Sequence, residues 1–183
     1  HRHKRNKKDT ILIPDSAHGT NPASAAIAGM RVVQAPSGED GTLNPEALKP
    51  FLNDSVAGIM LTCPNTHGLF EPAVREIADL AHKADALLYY DGANLNAILG
   101  KIRPGDLGFD VMHFNLHKTF STPHGMGGPG SGPVGVGPRL EPFLPGPRVV
   151  QRNGRFELET PPQSIGPVSS FFGNFLVGVR AYA

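Results

Sequence analysis

The sequence has few of the features that mark secreted, membrane-bound or nucleic-acid-binding proteins. Cys63 is the single cysteine in 183 residues, so no internal disulfide is possible and a reducing compartment is favoured. The net charge of +1 gives no electrostatic footprint for nucleic acid or an anionic membrane. No apolar run is long enough to span a bilayer, and no signal peptide is visible. We therefore expect a globular domain with no nucleic-acid partner and no membrane insertion, and we interpret the basic run His1–Lys8 as a solvated stretch.

Motifs of several common enzyme classes are also missing. There is no Walker A loop and no G-x-S-x-G elbow. The segment Gly125–Gly130 matches G-x-G-x-x-G, but Pro129 and the glycines that continue to Gly137 favour a loop over the helix that a dinucleotide site needs. His113 and His117 stand four residues apart without the glutamate of a zinc-protease helix, in a segment typical of a strand. We therefore predict no metal site.

What the chain does contain is a regular alternation of apolar runs and helix-like segments. The runs predict strands at Thr10–Ile13, Arg31–Ala35, Val56–Thr62, Leu87–Asp91 and Val111–Asn115, and helices around Ala23–Gly29, from Asn44 to Leu52, and from Pro72 onwards. Asn44 is a good N-cap before Pro45, and the third helix has one apolar face made by Val74, Ile77, Ala78 and Ala81. This alternation indicates an α/β fold with a mostly parallel sheet and helices on both faces.

Polar clusters follow four of these strands. They are Asp15–Asn21, Thr62–Gly68, Asp91–Asn94 and His117–Thr119. Open parallel sheets bind ligands beyond the carboxyl ends of their strands, so we expect these clusters to share one rim. Each cluster alone fits ordinary turn chemistry or an exposed side chain, and the functional interpretation depends on their joint placement. Lys118, between a strand and a glycine-rich loop, is placed to form a Schiff base with an aldehyde cofactor.

Three long motifs resemble the P-protein of the glycine cleavage system, which is glycine dehydrogenase (aminomethyl-transferring). They are Ser16–Ser24 (SAHGTNPAS), Asp91–Asn96 (DGANLN) and Asn115–Phe120 (NLHKTF). The family consists of pyridoxal phosphate enzymes of aspartate-aminotransferase fold type I, and the run Asp9–Asp15 is more similar to the separate bacterial catalytic chain, subunit 2. The resemblance implies that residues 1–183 are part of the cofactor-binding large domain, without an upstream phosphate-binding segment and the C-terminal small domain. We expect such a fragment to bind the cofactor poorly and to be inactive alone.

The resemblance assigns the central roles in the site to four residues. Lys118 is expected to carry pyridoxal 5'-phosphate as a Schiff base and to be the catalytic lysine. Asp91 is expected to pair with the protonated pyridine nitrogen, which keeps the ring able to accept electrons. Ala93 and His18 are expected to pack against the two faces of the ring.

Two further residues and one loop take supporting roles by the same resemblance. His117 is expected to reach the cofactor phosphate, and Thr66 the phenolic oxygen or the substrate. The glycine-rich loop Gly125–Gly130 is expected to line the site or a dimer contact, since glycines let a backbone approach closely. Met126 stands in this loop where the family commonly has glycine.

The resemblance also implies a reaction and a set of partners. Glycine would lose its carboxylate as carbon dioxide, and its aminomethyl group would pass to lipoylated H-protein. P-protein subunit 1 and a second catalytic subunit are the expected protein partners. The expected compartment is the bacterial cytoplasm, or the mitochondrial matrix in a eukaryote.

Three alternatives stay open. One is another fold type I enzyme, such as a cysteine desulfurase, a glycine-cleaving aldolase or an amino-acid decarboxylase, which would share Asp91 and Lys118 but not the surrounding motifs. A second is a non-catalytic partner subunit, which is expected to lack the Schiff-base lysine. The third is a generic ligand-binding α/β domain.

Overall fold

The computed structural model describes residues 8–170 and 172–183, and its main feature is a six-stranded sheet. The strands are β1 (Thr10–Pro14), β2 (Arg31–Ala35), β3 (Val56–Leu61), β4 (Leu87–Gly92), β5 (Val111–Phe114) and β6 (Val134–Val136). They lie in the order β2-β1-β3-β4-β5-β6. The first five strands pair in parallel, and β6 pairs antiparallel with β5. The prediction of a mostly parallel sheet is therefore confirmed. Residues 1–7, which make up most of the basic run His1–Lys8, lie outside the described residues.

Five α-helices accompany the strands, and the first three connect parallel strands. They are α1 (Thr20–Ile27), α2 (Pro45–Leu48), α3 (Val74–Lys83), α4 (Leu116–Thr119) and α5 (Phe175–Tyr182), with short 3-10 helices at Lys49–Phe51, Pro104–Leu107 and Glu141–Phe143. The Asn44 side chain caps α2 by accepting the Glu46 backbone N–H at 2.9 Å, as predicted. The apolar face of α3 is buried, also as predicted, although the helix begins two residues after Pro72. No helix among the described residues is long and apolar enough to cross a bilayer.

The two faces of the sheet have separate cores, because successive side chains of a strand point to opposite faces. Leu12 lies in the larger core with Ile59 and Leu88 from the sheet and Ile77 from α3. Its neighbour Ile13 lies in a smaller core on the other face, with Met60 and Ala25 of α1. Helices therefore cover both faces, as the continuous apolar strands predicted.

Several elements differ from the prediction. The glycine-rich segment was expected to stay a loop through Gly137, but Val134–Val136 forms β6 because the edge of β5 is open for antiparallel pairing. A second, two-stranded sheet follows, formed by β7 (Arg148–Arg152) and β8 (Arg155–Glu159). Asn153 and Gly154 between them both have positive φ, the typical two-residue hairpin turn. The segment that contains Lys118, Leu116–Thr119, forms one helical turn that no periodicity indicated.

Candidate active site

A pocket of about 330 Å³ lies beyond the carboxyl ends of the parallel strands. Its lining includes His18 after β1, Thr66 after β3, Asp91 and Ala93 at the end of β4, and Lys118 in α4. Five of the six residues predicted from the sequence therefore meet in one concavity. The pocket is also lined by five polar residues to which the sequence assigned no role, namely Thr20, Thr62, Asn65, Asn94 and Asn96.

Asp91 is the buried charged group of this pocket, with only 5% of its surface exposed. Its Oδ1 accepts the Ala93 backbone N–H at 3.0 Å, and the Thr62 hydroxyl lies 3.4 Å from Oδ2. A buried carboxylate is costly unless hydrogen bonds or an opposite charge compensate it. Asp91 is therefore suited to hold a cationic group of a ligand in the pocket.

Lys118 is exposed and belongs to a turn that is joined to the end of β4 by two hydrogen bonds. The Asn115 backbone N–H donates to the Ala93 carbonyl at 3.3 Å, and the Leu95 N–H donates to Thr119 Oγ1 at 2.9 Å. These bonds set the position of the lysine relative to Asp91. Asp91 lies at the end of β4, and Lys118 lies in the turn that follows β5, the neighbouring strand. The two hydrogen bonds join the segments that follow these strands.

His18 lies in the turn before α1, where its ring is oriented by Thr20. The His18 Nδ1 accepts the Thr20 backbone N–H at 3.1 Å and lies 2.7 Å from the Thr20 hydroxyl. Because Nδ1 accepts a hydrogen bond, a neutral ring carries its hydrogen on Nε2. The imidazole is exposed and borders the pocket, where a flat ligand could lie against it.

The turn that carries Thr66 is supported from beneath by two buried polar side chains. Asn65 Oδ1 accepts the backbone N–H groups of His67 and Leu69 at 3.0 and 3.1 Å. Asn65 Nδ2 donates to the Gly41 carbonyl at 2.9 Å and lies 3.3 Å from Oε1 of Glu71. Glu71 is 1% exposed, and its other oxygen accepts the Leu43 N–H at 2.9 Å. These hydrogen bonds therefore hold the backbone of the turn that carries the exposed Thr66.

His117 does not line the pocket and lies beside the glycine-rich loop. Its ring packs edge-on against His124 with the ring centroids 4.6 Å apart. Burial, His124 and Lys118 lower the pKa of His117, and its Nδ1 has no hydrogen-bond partner among the described residues. A Cβ atom at Gly130 would stand 2.9 Å from that nitrogen, so a larger residue there would have to displace the His117 ring. In the same loop Met126 has a φ of 67°, in the left-handed region that favours glycine.

His113 is the residue whose place in the site was not anticipated. It was considered only as a zinc partner of His117, yet it lies on β5 with Nε2 3.4 Å from Asp91 Oδ1. The pairing of β4 with β5 sets His113 opposite Asp91. The sequence alone does not reveal this pairing. Among residues 8–170 and 172–183 there is no group of three or more His, Cys, Asp or Glu side chains arranged to hold a metal ion.

Comparison with known proteins identifies the family. The sequence profile of the aminotransferase class-V family matches residues 1–154. The chain belongs to this family. The match extends from the segment before β1 through the β7–β8 hairpin turn and so includes every residue of the pocket lining.

This class-V chain is also similar to curated proteins named probable glycine dehydrogenase (decarboxylating) subunit 2. The chain is 61% identical to the protein of Caldanaerobacter subterraneus. The alignment covers 100% of this chain and 38% of that protein. The chain is 59% identical to the Treponema denticola and Thermotoga maritima proteins, with 99% and 97% of the chain aligned and 37% and 38% of the relatives covered. The class-V chain therefore spans a little over a third of the length of these relatives.

Solved structures support the fold of this class-V chain. Sphingosine-1-phosphate lyase from Burkholderia pseudomallei aligns with 96% of the chain and 40% of its own length, at a TM-score of 0.65 and 15% identity. An aromatic aminotransferase from Pyrococcus horikoshii aligns with 62% of the chain and 34% of its own, at a TM-score of 0.51 and 19% identity. At such identities the likeness establishes the fold type I architecture.

Proposed function

We propose that this chain carries the catalytic site of a pyridoxal phosphate enzyme that decarboxylates glycine in the glycine cleavage system. The observation that carries the proposal is the pocket at the carboxyl edge of the sheet, which is lined by both Lys118 and the buried Asp91. The choice of glycine as substrate is supported by identities near 60% to proteins named glycine dehydrogenase (decarboxylating) subunit 2.

The pocket residues fit the cofactor chemically. A volume of about 330 Å³ lies in the range of small-molecule sites. Lys118 supplies an amine for the cofactor's aldehyde, Asp91 supplies an anion for its ring nitrogen, and Ala93 and His18 supply surfaces for its ring faces. Pyridoxal phosphate, when bound, supplies an electron-accepting ring that makes loss of a carboxylate from an amino acid feasible.

The chain's own residues would bind the ring and hold its proton. A carboxylate as buried as Asp91 favours the protonated form of a neighbouring ring nitrogen, because an opposite charge stabilises the cationic state. The amides of Asn94 and Asn96 border the same pocket and can donate to a substrate carboxylate. Contact of Thr66 with the phenolic oxygen or the substrate, and of His117 with the phosphate, stay predictions.

The proposal includes protein partners. The aminomethyl carbon of glycine would be transferred to one sulfur of the oxidised lipoyl disulfide of H-protein, while the other sulfur becomes a thiol. The relatives' name, subunit 2, supports a partner subunit 1. A second catalytic subunit beside this one stays a prediction. Residues 1–183 would then be a part of the cofactor-binding large domain.

The test is exchange of labelled bicarbonate into the carboxyl group of glycine, using the full-length enzyme with subunit 1 and lipoylated H-protein. We expect exchange in the wild type and a loss of at least about 1000-fold in Lys118→Ala, because the group that binds the aldehyde is removed. Borohydride reduction followed by peptide mass analysis should add the cofactor at Lys118. The matched control is Lys101→Ala, an exposed lysine outside the pocket lining, which should retain exchange and cofactor.

Two results would contradict the proposal. A wild-type enzyme that exchanges no bicarbonate but acts on another amino acid would indicate a different fold type I activity. An enzyme that binds no pyridoxal phosphate would indicate a non-catalytic subunit or another ligand.

A further inference from the structure

Three side chains form a line on one face of the sheet, next to the pocket. Parallel pairing sets Asp91 of β4 opposite His113 of β5, and Tyr89 lies two residues before Asp91 on the same face. The Tyr89 hydroxyl lies 2.5 Å from His113 Nδ1, and His113 Nε2 lies 3.4 Å from Asp91 Oδ1. The Tyr89–His113 contact is a hydrogen bond and the longer His113–Asp91 contact is an electrostatic one, so Tyr89 is coupled to the Asp91 carboxylate through the imidazole.

The position of the hydrogen on the imidazole follows from the protonation of Tyr89 and His113. Burial, and secondarily the Asp91 charge, raises the pKa of Tyr89 to about 12, so its hydroxyl is protonated and donates to His113 Nδ1. Burial lowers the pKa of His113, and this effect is opposed by Asp91 and reinforced by Lys118. The neutral imidazole, whose Nδ1 accepts, must carry its hydrogen on Nε2, on the side of Asp91.

The contacts of Asp91 are unevenly divided between its two oxygens. Oδ1 accepts the Ala93 N–H at 3.0 Å and is the atom that His113 Nε2 approaches. Oδ2 has one contact among the described residues, the Thr62 hydroxyl at 3.4 Å. The arrangement holds the carboxylate by Oδ1 and leaves Oδ2 for a ligand in the pocket.

We propose that His113 is a positioning residue: Tyr89 fixes its tautomer, and its Nε2–H orients the Asp91 carboxylate so that Oδ2 faces the ring nitrogen of pyridoxal phosphate. The inference rests on the proposed function, since Asp91 can act on that nitrogen only if the pocket holds the cofactor. A histidine that merely fills space beside Tyr89 would contribute packing without affecting the protonation of the cofactor.

The experiment uses the full-length holoenzyme with subunit 1, loaded with pyridoxal phosphate labelled with ¹⁵N in its ring. The ¹⁵N chemical shift reports protonation of the ring nitrogen, and bicarbonate exchange reports kcat. His113→Leu should shift the resonance towards the unprotonated value and lower kcat about tenfold, because Asp91 loses an oriented donor. His113→Gln, which keeps an N–H donor at similar reach, should retain most of the wild-type resonance. Tyr89→Phe should give an intermediate shift, since the ring then populates both tautomers.

Tyr90→Phe is the matched control. Tyr90 is buried on the opposite face and donates its hydroxyl to the Cys63 carbonyl at 2.5 Å, so this change also removes a tyrosine hydrogen bond. It should lower stability without moving the ¹⁵N resonance. A loaded His113→Leu enzyme with the wild-type resonance, or an equal shift in Tyr90→Phe, would overturn the positioning role alone. A wild-type enzyme that takes up no cofactor would overturn the proposed function as well.

Discussion

The Asn65 side chain holds the turn that carries Thr66, and its removal should test how rigidly this wall of the pocket is built. Asn65 is 8% exposed and accepts two backbone N–H groups while donating to Gly41 and Glu71. In Asn65→Ala all four interactions are lost, and Glu71 loses one of its two partners. We expect the turn to become the least stable part of the pocket.

The magnitude follows from these contacts. A net contribution of about 1 kcal/mol per hydrogen bond sets an upper range near 4 kcal/mol for the four interactions. Thr66 and His67 are exposed, so water can reach some of the freed backbone groups and reduce the loss. We therefore expect Asn65→Ala to lower the free energy of unfolding by about 3 kcal/mol.

Urea denaturation and amide hydrogen exchange together provide the assay. The matched control is Asn53→Ala, because Asn53 also accepts a backbone N–H and a hydroxyl, from Ser55 at 2.9 and 2.6 Å, but is exposed. Water replaces those contacts, so we expect a loss of about 0.5 kcal/mol or less. In Asn65→Ala the exchange of the His67 and Leu69 amides should also accelerate, while amides in β3 stay protected.

Two outcomes would refute this reasoning. One is an Asn65→Ala protein that is destabilised no more than Asn53→Ala. The other is unchanged exchange at the His67 and Leu69 amides, which would mean that the turn is held by its backbone bonds alone.

Two further predictions concern the core and the pH dependence of stability. Ile77→Ala, at a fully buried position of α3, should lower the unfolding free energy by about 3–4 kcal/mol in urea denaturation. Ile27→Ala, at a position 88% exposed, should change it by less than about 0.5 kcal/mol, and equal effects would contradict the assignment of the core. Because burial raises the pKa of Tyr89 from 10.0 to about 12, the folded state binds more protons between these values, and stability should fall as pH rises through that window. The fall should be shallower in Tyr89→Phe, and identical slopes would show that this tyrosine ionises alike in both states.

Much of the fold could be predicted because its signals are local. The apolar runs that became β1 to β5 reflect burial on both faces, and Asn44 with Pro45 marks the start of a helix through one hydrogen bond and one fixed φ. Other elements were missed for physical reasons. A single turn such as Leu116–Thr119 is too short to show a helical period, and β6 depends on the open edge of β5. The β7–β8 hairpin does carry a local signal, since Asn153-Gly154 is a typical two-residue turn.

The candidate site, like the fold, was predictable where it depends on the order of the chain and not where it depends on tertiary contacts. The order of the polar clusters after successive strands was sufficient to predict that His18, Thr66, Asp91, Ala93 and Lys118 meet, because the carboxyl ends of parallel strands share one edge. His117 was predicted in the same group, yet it packs beside His124 under the glycine-rich loop. Its neighbour Lys118 lines the pocket, since the two side chains leave the helical turn in different directions.

By itself the sequence determined the alternating α/β architecture, the edge at which the polar residues gather and the lysine in its motif, since these depend on neighbours along the chain. The tertiary structure alone decided that His113 stands between Tyr89 and Asp91. That contact joins residues 22 positions or more apart and depends on the register between β4 and β5, where Asp91 pairs with His113. A slip of one residue would turn the histidine to the opposite face of the sheet, because side chains alternate along a strand.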